Sequence, residues 1–219
     1  MDSAPRMWPD ETVVILGCGP SLTREDVDYV RGKARVIAIN TAWTLAPWAD
    51  VLYSADRRWW AHYRGAMGFP GLKYSIGSGR GKHDSVPKHP EVVVLKHMGD
   101  EGICVDPTGL KTGRNSGASA INLAVHFGAS RILLLGYNMG RGKGKSHFFG
   151  DHPPGLQNHS PYVLFLQMFK TQVAPLAEAG IEVINCTRKS ALECFPKRDL
   201  RTVLLDPTAT TAPALEAVC

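Results

Sequence analysis

Side chains able to do chemistry gather in a few short stretches of this sequence. The first is Gly17-Cys18-Gly19-Pro20-Ser21, where paired glycines let backbone N–H groups come close to an anion. Ser21-Leu22-Thr23, followed by Glu25 and Asp26, reads as the start of a helix, whose free N–H groups favour negative charge. Asn40 and Asp56 each follow a short apolar run. Asn40 either caps the next turn or reads a base or ribose through its amide. Asp56 either caps the following helix or binds substrate hydroxyls or a metal such as magnesium. Further on, Asn115-Ser116-Gly117 forms a second small-residue loop and Gly136-Tyr137-Asn138 ends another apolar run. Loops of this kind let a helix N-terminus close on a ligand, although close helix packing also accounts for them.

The densest polar segment holds His147, Asp151, His152 and His159 within thirteen residues. His147 and His152 with Asp151 could ligate a metal, but their spacing is neither a His-Glu-x-x-His helix nor a zinc finger. General acid/base work needs only one well-placed imidazole. His159, before Ser160-Pro161 and the apolar run 162–169, stands at a helix start: it is either the catalytic histidine or a surface residue near a cap, with His152 and Asp151 as further catalytic candidates.

Position for these residues must come from the elements around them. Val13–Leu16, 34–39, 50–54, 91–96, 131–136 and 181–185 are short apolar or β-branched runs that read as strands. Helices are expected over 24–31, after Asp56, over 120–127 ending at Gly128, and from 162 with a bend or restart near Pro175. Strand alternating with helix implies an α/β, Rossmann-like, mostly parallel sheet with helices on both faces, its ligand crevice at the strands' C-terminal ends. That places Gly17 to Ser21, Asn40, Asp56 and Asn138 at one edge. Trp59-Trp60 reads as core more readily than as a stacking platform. A single domain over 1–205 is expected, with irregular insertions near 65–90 and 139–160 and a loosely ordered Thr/Ala/Pro-rich tail over 206–219.

Composition sets outer bounds. With 219 residues, 44% apolar and 21% charged, the chain is neither disordered nor membrane-spanning in composition. The first residues lack the basic start and apolar core of a signal peptide, and five scattered cysteines without a Cys-x-x-Cys pair read as reduced thiols, so a cytoplasmic location is expected. A net charge of +5 and a pI near 9.0 suit an anionic partner: a nucleotide, a phosphorylated sugar or a nucleic acid. Basic residues concentrate in two glycine-rich loops, with Arg80 and Lys82 in one and Arg141, Lys143 and Lys145 in the other. They are either solvated loops or phosphate contacts.

The order of these motifs resembles the small bacterial sialyltransferase family, which transfers sialic acid from its cytidine monophosphate donor, and related phage and archaeal proteins of unknown or pterin-pyrophosphokinase function that share a Gly-x-Gly-Pro-Ser-Leu start. The likeness runs over residues 12–195 and is carried by motifs. Gly17 to Leu22 matches the donor loop with Cys18 in place of its Asn. Asn40 matches a donor-contacting Asn, Asp56 falls where another Asn stands, and His62 where a donor-contacting Gln stands. Asn115-Ser116-Gly117 resembles the family's Thr-Ser-Gly loop, Leu135-Gly136-Tyr137-Asn138 its Ser-Gly-Ile-Asp strand end, and His159-Ser160 its catalytic His-Ser. The resemblance implies a transferase using a nucleotide-sugar donor, with His159 as proton acceptor. Two alternatives accompany it: magnesium-dependent pyrophosphoryl or nucleotidyl transfer through Asp56, Asp151 or His152, and a nucleic-acid-binding or regulatory module built on the basic loops, with nucleic acid as acceptor or partner.

Overall fold

The computed structural model describes residues 2–77, 89–142, 144–157 and 160–205. Arg80, Lys82, Lys143, His159 and the tail from Asp206 lie outside the described residues. Among the described residues there are eight strands: β1 Thr12–Leu16, β2 Arg35–Ile39, β3 Val51–Tyr53, β4 Leu72–Ile76, β5 Val92–His97, β6 Gly109–Leu110, β7 Arg131–Leu135 and β8 Glu182–Asn185. They form one sheet in the order β6-β5-β4-β3-β2-β1-β7-β8, and every pairing is parallel. The chain therefore runs outward from β1 to one side and returns to its other side at β7. Between β1 and β7 the strand order reverses, and a parallel sheet opens a crevice at such a reversal.

Alternation along each strand builds two cores. Val13, Ile15, Ile37, Ile39, Val51 and Tyr53 face one side, against Ile121 and Phe127 of α3 (Ser116–Phe127) and Phe169 of α4 (Tyr162–Glu178). Val14, Leu16, Val36, Ala38 and Leu52 face the other, against Val27 of α1 (Arg24–Val30), Trp59 and Trp60 of α2 (Arg57–His62) and Val203 of α5 (Leu200–Leu205). Near-continuous apolar strands are what a sheet covered on both faces requires. The tryptophan pair is core, 2% and 0% exposed.

β4, β6 and α5 stand where the sequence reading expects no element, and α4 differs from it at Pro175. β4 lies inside the stretch expected to be irregular. Its alternation of Leu72, Lys73, Tyr74, Ser75 and Ile76 conceals it, because Lys73 is buried with Glu91 beside it at 3.6 Å and Ser75 donates to the Ser54 carbonyl at 2.9 Å. α4 runs through Pro175 instead of restarting. Proline has no N–H to donate and its ring crowds the carbonyl four residues before it, so the Thr171 carbonyl goes without that intrahelical bond, while the Thr171 hydroxyl accepts from the Gly102 amide at 2.8 Å. Among the described residues no helix is long and apolar enough to cross a membrane.

Candidate functional site

A cavity of about 520 Å³ opens at the C-terminal ends of the strands, a volume within the range of small-molecule sites. Gly17, Cys18 and Gly19 after β1, Asn40 after β2, Asp56 after β3, Asn115 to Gly117 at the start of α3 and Gly136 to Asn138 after β7 all line it, as do His147 and His152. Residues far apart in the chain thus meet because a parallel sheet brings its strand ends to one edge. Pro20, Ser21, His62 and Asp151 stand outside the lining. His62 is exposed on α2 with its ring 4.9 Å from that of Tyr63. Asp151 is 72% exposed, 3.6 Å from Arg141.

The two glycine loops hold each other. Gly17 N–H donates to the Leu135 carbonyl at 2.7 Å and Gly19 N–H to the Gly136 carbonyl at 2.8 Å, so neither amide is free for an anion. α1 takes no part in the lining, and at its start Arg188 lies against Asp26 at 2.5 Å. Asn138 accepts from Ser21 N–H at 3.2 Å and from Ser21 Oγ at 2.9 Å, and its Nδ2 donates to the Lys189 carbonyl. Its amide ties three segments together. Tyr137, buried between the loops, donates through its hydroxyl to the Gly117 carbonyl at 3.2 Å. A Cβ on Gly117 would lie 2.9 Å from the Tyr137 ring, which gives that glycine a packing reason.

Anion-favouring groups sit elsewhere in the cavity. α3 is twelve residues long and capped by Asn115, whose Oδ1 accepts from Ala118 N–H at 2.8 Å, and its first turn faces the lining. Arg114 and Arg58 flank the cavity, each beside a carboxylate. Arg114 lies 3.3 Å from Asp100, which the Thr112 hydroxyl and His97 also contact. These hydrogen bonds and the Arg114 charge hold the Asp100 carboxyl below its usual range. Asp56 caps α2, accepting from Arg58 N–H at 2.8 Å, and pairs with the Arg58 guanidinium at 3.1 Å. Among the described residues no three His, Cys, Asp or Glu side chains come together as a metal-ligand set.

Three lining residues, Asn40, Arg114 and Met139, adopt left-handed backbone conformations with φ of 48°, 59° and 51°. Such strain in non-glycine residues gathers at functional sites. Three lining residues also carry a buried polar atom without a hydrogen-bond partner: Asn40 Oδ1, His147 Nδ1 and His152 Nδ1. Each costs about 1–3 kcal/mol while unpaired. Cys18 is inert by comparison, its thiol donating to the Ile39 carbonyl at 3.2 Å and pushed up to about 12 by burial. His97 and Arg58 belong to the lining without any motif having marked them, and Thr112 and Arg114 belong to it as the opening of the small-residue loop that leads to Asn115. Their signal is positional: His97 ends β5, and Thr112 and Arg114 follow β6.

Burial, with His152 beside it, lowers the His147 imidazole to about 4, and burial lowers His152 in the same direction. The unfolded chain takes up these protons near the ordinary imidazole value of about 6.5, whereas the folded protein resists them. Stability therefore falls as pH drops from about 6.5 towards 4. Urea melts at pH 7.0, 5.5 and 4.5 check this: the midpoint decreases in the wild type and decreases less in His147→Phe, and a flat wild-type series contradicts it.

Comparison with protein-family models, curated proteins and solved structures returns no match. Fold and site define the class on their own: an all-parallel, doubly wound α/β protein with a polar cavity at its strand-order reversal.

Proposed function

We propose that the protein is a cytoplasmic, nucleotide-dependent transferase, a glycosyltransferase that takes a nucleotide-sugar donor in the cavity at the β1–β7 reversal and uses a histidine as proton acceptor. The observation that carries this reading is the set of unpartnered buried atoms on Asn40, His147 and His152 around one nucleotide-sized cavity. A protein keeps such atoms at a cost, and a ligand offering donors and acceptors repays it. The first turn of α3, with Arg114 and Arg58 beside it, suits the phosphates, and Asn40 suits the base or ribose. The resemblance of the motif order to the small sialyltransferases supports the same reading, with Cys18, Asp56 and Asn138 as departures from that family's donor site. His159 follows the resemblance, and Ser160 beside it lines the cavity.

A thermal-shift screen of nucleotides and nucleotide sugars tests the reading. A ligand at a hundred times its dissociation constant adds about 2.7 kcal/mol, which in a chain of this size raises Tm by roughly 5–10 °C. No shift with any of them contradicts it.

A further inference from the structure

We infer that His147 and His152 form a working imidazole pair, in which His152 takes the proton from the attacking hydroxyl and His147 positions it. This rests on the transferase reading above and assigns the proton transfer within it. The two rings lie with centroids 4.2 Å apart and planes 55° apart, and both line the cavity. Phe149 stacks on His147 at 5.0 Å and 8° and reaches His152 at 5.5 Å. The turn bearing them is closed by His147 N–H to the Gly150 carbonyl at 3.1 Å, and Phe148 N–H fastens it to the Cys18 carbonyl at 3.1 Å. Both rings, held in this turn beside the glycine loop, keep an Nδ1 without a hydrogen-bond partner.

The chemistry follows from the spacing. Two imidazoles this close resist charging together: the His152 charge helps to hold His147 neutral, and burial lowers His152 itself and leaves it neutral and able to accept. Asp56 favours the charged form of His152 and Arg58 opposes it. Asp151 also favours it, but is turned towards Arg141. In the step, the acceptor O–H bond breaks and its proton moves to a ring nitrogen of His152. The oxygen's freed electron pair bonds to the anomeric carbon, whose bond to the donor phosphate breaks with its electrons leaving on the phosphate.

The test uses the full chain, His152→Gln and His147→Phe, with CMP-, UDP- and GDP-sugars as probes. Donor affinity is measured by calorimetry, nucleotide release with water as acceptor is followed over pH 5–9, and the histidine pKa values are read by NMR. Expected is a His152→Gln protein that still binds the donor but in which release from the saturated complex falls by about 10²–10⁴-fold. His147→Phe loses less, and the NMR pKa of His147 moves upward in His152→Gln. Unchanged release by His152→Gln, a bound donor that the wild type never cleaves, or a His147 pKa indifferent to the His152 substitution overturns the assignment. His152→Asn gives the same pKa readout should His152→Gln fail to fold. Absence of donor binding by a wild type whose His147 pKa does respond to the His152 substitution overturns the transferase reading, and the proton-acceptor role with it.

Discussion

Gly19→Ala should lower stability by about 3 kcal/mol, a drop in Tm of roughly 6–12 °C. A Cβ at Gly19 would lie 2.4 Å from the Gly136 carbonyl oxygen and 2.2 Å from Asn138 Oδ1, and the first of these is backbone that can yield only by parting the ends of β1 and β7. The same movement breaks the bond from Gly19 N–H to the Gly136 carbonyl. Gly77→Ala is the matched control: it too lines the cavity, but among the described residues its Cβ would meet only the Leu95 carbonyl, at an ordinary 3.7 Å. Urea melts of the two variants measure the difference. Equal stabilities would mean that the glycine serves the ligand and not the junction.

Asn138→Ala should cost about 2–3 kcal/mol, because it strands the Ser21 amide and hydroxyl and the Lys189 carbonyl at once. Asn138 is 8% exposed, so water replaces these partners poorly. The Gly19 and Asn138 effects should also be non-additive, since one of the two atoms a Gly19 Cβ meets is removed in the double variant. The Gly136 carbonyl remains, so the double variant recovers only part of the loss. A stable Asn138→Ala protein that no longer binds nucleotide would instead make Asn138 a ligand-reading residue.

These two residues show what the sequence could and could not convey. Val13 to Leu16 and Arg131 to Leu135 are apolar enough to announce buried parallel strands, and strand–loop–helix order then places Gly17 and Gly136 at one edge. What the glycines do there depends on the partner strand. β7 lies beside β1 although it comes after five other strands, and its carbonyls take the very amides that a glycine loop suggests are free. β4 was hidden because Lys73 is buried through a pairing that local pattern does not report, and β6 because two residues carry no periodicity. His147 was visible only as part of a histidine-rich stretch. Its closeness to His152 and its stacking on Phe149 arise from a tight turn fastened to Cys18, which no spacing rule encodes.

Asn40 offers the most direct measurement of the central claim, that this cavity recognises a nucleotide. Asn40→Gly accepts the φ of 48° without strain and removes the buried, unpartnered Oδ1. The free protein should therefore be as stable as the wild type or more so. Calorimetric titration of the best-binding nucleotide into both proteins should nevertheless show affinity reduced at least tenfold in Asn40→Gly, the equivalent of about 1.4 kcal/mol. Equal affinity in a variant of undiminished stability would contradict the account.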